Sequence, residues 1–217
     1  MIAGGRQRGT MYGVYDLLED VLGCRWYSSQ VRKIPQMKTI TIPDLDIEEK
    51  PAFGFRDVYY TDAWKADFAA RNRLNGHHMN LDRERGGKVY YRPFVHTFRE
   101  LVPISKYGKS NPEYYSLVKG ERHPKDYETQ LCLTNPDVLR ISTETVLRWI
   151  QEDPKCKLIS VSPNDLDNHC ECDACAATAR ELGGQSGLLL KFVNATADEV
   201  AKEHPEVMID TLAYWYT

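Results

Sequence analysis

Apolar residues recur at helical spacing in several stretches of the chain. Tyr12, Tyr15, Leu18 and Leu22 share one face of a helix predicted over 10–22, with Thr10 able to cap its start and Gly23 able to end it. Asn135-Pro136 opens a second helix running to about Gln151, with Leu139, Val146, Trp149 and Ile150 on one face. Ser186 caps a third, through Leu189, Val193, Ala197 and Val200, which His204-Pro205 ends. Between the helices lie short β-type runs. They are predicted at Cys24–Tyr27, Phe55–Tyr60, His77–Leu81, Val89–Val95, Leu158–Ser162 and Val207–Tyr214, with a helix at Asp62–Leu74 and an irregular stretch over 103–133.

The pattern changes near Pro51. Residues 30–50 carry two prolines, with a third at Pro51, alternating Ile40 and Ile42, and the charged run Glu48-Glu49-Lys50, which places a domain boundary there. Strands alternating with helices after Pro51 imply βαβ units and a parallel sheet. The fold class is α/β: residues 1–50 as the C-terminal part of a small α/β domain, and 51–217 as the N-terminal half of a β/α-barrel domain. About five strands follow Pro51, too few to close an eight-stranded barrel. The last strand would then lack its next parallel partner, and self-association through that open barrel edge is expected.

Composition narrows the function classes. The 217 residues are 42% hydrophobic and 27% charged, as in an ordinary globular protein. A net charge of −3 offers no basic field for nucleic acid, and no apolar run approaches the roughly 18 residues of a membrane span. The opening Met1-Ile2-Ala3-Gly4-Gly5 lacks a charged n-region and an apolar h-region. It reads as an internal start with any export signal upstream.

The densest chemical signal is the run from Ser162 through Asn164 and Asp165 to Cys175, directly after the strand at 158–162. Loops at strand C-termini carry the active sites of parallel β/α folds. There a carboxylate can protonate a leaving oxygen, act as a base or orient a reacting amide. A turn-capping Asp165 is the competing reading. Cys170, Cys172 and Cys175 form a compact thiol cluster that can hold a structural Zn²⁺, with Cys132 or His169 as fourth ligand. A disulfide from Cys132 to one of the three is the alternative. Either way the cluster reads as structural, since a full thiolate shell leaves no open position.

Four more residues are candidates for binding substrate. His96 follows the strand at 89–95 and can meet a sugar hydroxyl, or serve structure alone. Arg56 can bind a hydroxyl or carboxylate, or form an internal salt bridge. Tyr214 and Trp215 end the last strand, where a ring can stack on a sugar face or pack a core. His77-His78 makes a weak metal pair, because neighbouring strand residues face opposite sides.

The opening from Ala3 to Tyr15, with Leu22-Gly23-Cys24-Arg25-Trp26-Tyr27, resembles the small domain that precedes the barrel in α-glucuronidases and related glycosidases. Asn111-Pro112-Glu113-Tyr114-Tyr115, Gln130-Leu131-Cys132-Leu133-Thr134-Asn135-Pro136, Ser162-Pro163-Asn164-Asp165 and Cys170-Glu171-Cys172-Asp173-Ala174-Cys175 together resemble the bacterial family catalogued as domain of unknown function 4838. Members of that family became glycoside hydrolase family 163, endo-β-N-acetylglucosaminidases acting on N-glycans. The resemblance implies an exported enzyme, secreted, periplasmic or cell-surface, with a TIM-like β/α barrel. It implies cleavage of β-linked N-acetylglucosamine in a glycan substrate, assisted by the substrate's own acetamido group. Asn164 and Asp165 are the candidates for orienting that acetamide, and the acid that protonates the leaving oxygen is not placed. The competing functions are a non-catalytic glycan-binding or scaffold fragment, an α-glucuronidase-like glycosidase of other specificity, and a zinc-dependent interaction module.

Overall fold

A computed structural model describes residues 1–122, 124–125 and 129–217. The chain forms two compact units, Met1–Tyr90 and Tyr91–Thr217, and the change of pattern at Pro51 falls inside the first. The secondary structure is mixed. Among the described residues, four short strands form two two-stranded sheets.

In the first unit, helix α1 (Gly9–Asp16) continues as a π-helical turn over Leu17–Val21, and Gly23, at φ 71°, lets the chain turn away. Strands β1 (Arg25–Trp26) and β2 (Arg32–Lys33) then pair antiparallel, Trp26 opposite Arg32. Helix α2 (Ala66–Arg71) buries Phe68, Ala69 and Ala70 against Met79 and Leu81, with Met11, Tyr15 and Trp26 packed around them. The Arg73 guanidinium ties this core to the first helix through Asp16 and Glu19.

The strands expected at 55–60 and 77–81 do not form. Around Arg56 a side chain takes the place of a ladder. The buried Asn75 accepts from the Arg56 N–H (2.8 Å) and donates to the Gly54 carbonyl (2.8 Å), while its own backbone bonds Arg56 and Val89. With the backbone groups satisfied locally, an apolar, alternating run needs no neighbouring strand.

The second unit contains a parallel βαβ arrangement. Strands β3 (Leu158–Ser160) and β4 (Met208–Asp210) pair in parallel, Leu158 opposite Met208 and Ser160 opposite Asp210. On the other side of β3, Tyr91 forms a parallel bridge to Leu158, the Arg92 N–H donates to the Leu158 carbonyl (3.1 Å), and the Ser160 N–H donates to the Pro93 carbonyl (3.3 Å). Three parallel segments therefore lie side by side in chain order. The expected strand at 89–95 is reduced to this contact.

Helices α3 (Phe98–Leu101) and α4 (Ile104–Tyr107) follow the first segment, and α5 (Pro136–Glu152) leads into β3. The Asn135 side chain caps α5 by accepting from the Asp137 and Val138 N–H groups. Helices α6 (Asp173–Glu181) and α7 (Gln185–Ala201) join β3 to β4, through a break at Gly183 and Gly184, both at positive φ. Helix α6 was not predicted. Val138, Ile141, Val146 and Ile150 from α5 share one core with Leu189, Phe192, Val193 and Val200 from α7 and with Ile159 and Val161. Because strand side chains alternate, Ser160 and Ser162 face away from that core. Part of the stretch over 103–133, expected to be irregular, lies outside the described residues.

Candidate functional site

The end of β3 is stitched to the segment after Pro93 by a buried hydroxyl network. The Thr97 hydroxyl donates to the Ser160 carbonyl (2.9 Å) and accepts from the Ser162 N–H (3.0 Å). The Ser162 carbonyl takes the N–H groups of Thr97 and Phe98, and the Ser162 hydroxyl accepts from the His96 N–H (2.8 Å). These bonds hold His96 at φ 60°, a left-handed backbone that a β-carbon resists. The His96 Nδ1 lies 2.9 Å from the Pro163 carbonyl, which can only accept, so Nδ1 carries the proton.

Asn164 and Asp165 are adjacent in sequence and opposite in environment. Asn164 is buried, and its carboxamide is spent on backbone: Nδ2 donates to the Thr129 carbonyl (2.8 Å) and Oδ1 accepts from the Arg99 N–H (3.2 Å). The buried Gln130 completes the frame, accepting from the Asn164 N–H (2.9 Å) and donating to the carbonyls of Asn164 and Leu166. Asp165 is exposed. The Trp215 indole N–H donates to its Oδ1 (2.9 Å). The Trp215 and Tyr214 donors, with His96 adding a weaker attraction, hold its carboxyl below the ordinary carboxylate range. Asp165 in turn pushes the Tyr214 hydroxyl up. The Tyr214 ring lies 5.6 Å from the His96 ring, and Trp215 stands at φ 55°. The structure thus brings together Asp165, His96, Tyr214 and Trp215, and it turns the Asn164 side chain away into a framing role. Arg56 lies in the first unit, where its Nε donates to the Arg73 carbonyl (2.7 Å). His78 there pairs with Asp57 through Nδ1 (3.1 Å).

The four cysteines named from sequence converge. Their Sγ atoms all lie within 4.8 Å of one another, with Cys132 to Cys172 and Cys132 to Cys175 both at 3.8 Å. A disulfide needs about 2.05 Å, and all six cysteines are free thiols. An edge of 3.8 Å is what a tetrahedron with metal–sulfur bonds of about 2.3 Å requires. Cys132 comes from the segment that bridges Tyr115 through Leu131, Cys170 and Cys172 from the loop after β3, and Cys175 from the first turn of α6. Hydrogen bonds from Cys170 and Cys175 pull the Cys132 thiol down, and the same network pushes the Cys175 thiol up, so one thiol ionises first. The Leu117 N–H donates to the Cys170 sulfur (3.4 Å), the Arg122 guanidinium stands 3.9 Å from it, and the Thr134 hydroxyl is 3.2 Å from the Cys175 sulfur. Burial disfavours the charge on Arg122, yet the Cys170 and Cys132 thiols outweigh it.

The loop between the two places is held at both ends. The His169 ring, next to Cys170, packs 5.3 Å from the Tyr216 ring, and Asp167 lies 3.4 Å from the His169 Nδ1.

The model of the family described as a domain of unknown function (DUF4838) matches residues 26–217. The chain belongs to the DUF4838 family. No curated protein matches it, and no solved structure matches it. In this DUF4838 chain the matched span includes every candidate site residue, Arg56 as well as those of the second unit. No helix among the described residues is long and apolar enough to cross a membrane. Sequence reasoning missed Thr97, Gln130, Tyr91 and Asp210. A lone acid ending the apolar run Val207–Ile209 was the one available signal for the last of them.

Proposed function

We propose that this DUF4838 chain carries the substrate face of a glycoside hydrolase that cleaves β-linked N-acetylglucosamine in glycans with help from the substrate's acetamido group. The observation that carries the reading is the meeting of an ionised carboxylate, Asp165, with the Tyr214 and Trp215 rings and the His96 imidazole beyond the C-terminal ends of parallel strands. Such ends are where β/α folds place reactive groups. An exposed indole offers a flat apolar surface for a sugar ring, and Trp215 is 61% exposed. A carboxylate beside it can accept the acetamide N–H and stabilise the charge that develops on that group. Glycoside hydrolase family 163 is the resemblance that names the sugar, and with it an exported location.

Two features support a TIM-like barrel for these segments. The strands neighbour one another in chain order, and the crossover helices α5 and α7 pack together on the same side. Winding always in one direction curls a sheet toward closure, whereas a doubly wound sheet puts helices on both faces. The four thiols suit zinc: soft ligands, a complete tetrahedral set and a neighbouring guanidinium to offset the excess thiolate charge. Zinc would hold the loop after β3 and take no part in the chemistry.

The test is Asp165→Asn in the full-length protein, assayed on an N-glycan. Turnover is expected to fall at least about 100-fold, at the low end of a proton-transfer or charge-stabilising role, with an unchanged unfolding transition. Near-normal turnover would leave Asp165 as a turn residue. A wild-type protein that binds the glycan through Trp215 but never cleaves it would favour a non-catalytic glycan-binding module instead.

A further inference from the structure

Acetamido-assisted cleavage needs two side chains in opposite states. One is ionised and holds the acetamide, and the other is protonated and gives its proton to the leaving oxygen. Asp165, exposed and held by the Trp215 and Tyr214 donors, suits the first task and not the second.

A second carboxyl lies on the face of the sheet turned away from the helices. Ile159 and Val161 point into the core shared with α5 and α7. Asp210 is in register with Ser160, so it shares the opposite face with Ser160 and Ser162. Tyr91, in register with Leu158, lies on that face too, and its hydroxyl donates to the Asp210 Oδ2. The other oxygen, Oδ1, is closed to solvent and has no hydrogen-bond partner, and neither has the hydroxyl of the next residue, Thr211. A bare carboxylate oxygen in such a place is costly, and a proton on Oδ1 removes the charge. Burial pushes the Asp210 carboxyl up, against the hydroxyls of Tyr91 and Ser160, which favour the anion. The titratable groups that face it are Tyr91, from the neighbouring parallel segment, and beyond Tyr91 the Cys156 thiol.

We propose that Asp210 is the proton donor of the glycosidic step, an inference that rests on the glycoside hydrolase reading above. The Oδ1 proton passes to the glycosidic oxygen as the bond from the anomeric carbon breaks and its electron pair goes to that oxygen. The acetamido carbonyl oxygen bonds to the anomeric carbon, and Asp210 is left as a carboxylate held by Tyr91. It then takes a proton from the water that opens the cyclic intermediate, which restores both the acid and the acetamide.

The experiment compares wild-type and Asp210→Asn full-length protein on an N-glycan and on an activated 2,4-dinitrophenyl β-N-acetylglucosaminide. On the glycan, turnover should fall at least about 100-fold and the alkaline limb of kcat/KM should disappear. On the activated glycoside, whose leaving group needs no proton, the loss should stay below about 10-fold, and azide should raise the rate by forming a glycosyl azide. Equal losses on both substrates, or an intact alkaline limb, would overturn the assignment. A wild type that cleaves neither substrate removes the glycosidase reading, and the donor role goes with it. A wild type that is active while Asp210→Asn behaves normally removes the donor alone. Should the variant fail to fold, ¹³C NMR of aspartate-labelled wild-type chain decides: Asp210 must be protonated at pH 7, and an ionised Asp210 refutes the proposal.

Discussion

Asp165 and Cys170 lie on the same loop after β3, yet their surroundings differ in almost every respect. The cysteine cluster is inward and complete: three of its four cysteines are buried, and the four sulfurs all lie within 4.8 Å of one another. The Asp165 side is outward and unfinished: an exposed carboxylate, exposed aromatic rings and two residues, His96 and Trp215, in left-handed backbone that costs about 1–3 kcal/mol each. One end is built to be immobile and the other to meet something. The comparison suggests a division of labour, in which the closed end supplies the stability that lets the open end keep strained and poorly covered groups.

The largest effect that could break this comparison is loss of the clamp. If the four thiols hold zinc, the protein should carry about one zinc per chain by elemental analysis. Cys175→Ser should then lower unfolding stability by at least about 3 kcal/mol in urea, since it removes both a ligand and a buried sulfur contact. Cys172→Ser, at the half-buried corner, should do the same and lose less packing. A strong chelator should lower the wild-type midpoint and leave Cys175→Ser unmoved. Metal-free protein with an unchanged midpoint in chelator would make the cluster four packed thiols and nothing more.

A smaller effect separates the two neighbours at the loop's start. Asn164→Ala removes the partner of the Thr129 carbonyl and of the Arg99 N–H, both near buried groups, and should cost about 1–3 kcal/mol of stability. Asp165→Ala should cost far less, because its partners can turn to water. If the two variants destabilise equally, the contrast between a framing asparagine and an open aspartate is wrong.

That contrast also marks how far the sequence could be read. Cysteine spacing announces a cluster, and Cys132 does join Cys170, Cys172 and Cys175 in it. Helix α5 was legible from its Asn135 cap and apolar stripe and α7 from its stripe alone: the bounds nearly match, but α7 begins at Gln185 after Gly184 with no side-chain cap, so Ser186 lies inside the helix and does not cap it. Short strands were not, because whether a run of Val, Ile and Tyr pairs depends on what satisfies its backbone. At 55–60 that partner is Asn75, a side chain no local pattern identifies. Asn164 and Asp165 are both good turn residues, and only the tertiary position of Gln130 and Thr129 decides which of them turns inward. Asp210 was hidden for the same reason: its register against Ser160 fixes its face, and register is a property of two strands. The barrel, the sugar and the reaction stay readings of a resemblance.

The smallest effect sharpens the open end. Asp165 has a folded-state pKa below its ordinary value, so the contact with Trp215 contributes fully above the unfolded carboxylate pKa, about 3.9. It is lost as pH falls through the lower folded value. Acidification should therefore leave Trp215 fluorescence steady to below about pH 3.9 and then change it, as the carboxylate that accepts the indole N–H becomes a carboxyl. The chain has 4 tryptophans, so the signal is taken as the difference from Trp215→Phe. Asp165→Asn should abolish the acid step. A midpoint at or above the ordinary carboxylate value would mean that Trp215 does not hold the anion, and the ionised partner of Asp210 would have to be sought elsewhere. The same variant pair read at high pH tests the other side of the contact: Tyr214, pushed up by the Asp165 charge, should ionise closer to an ordinary phenol once that charge is gone.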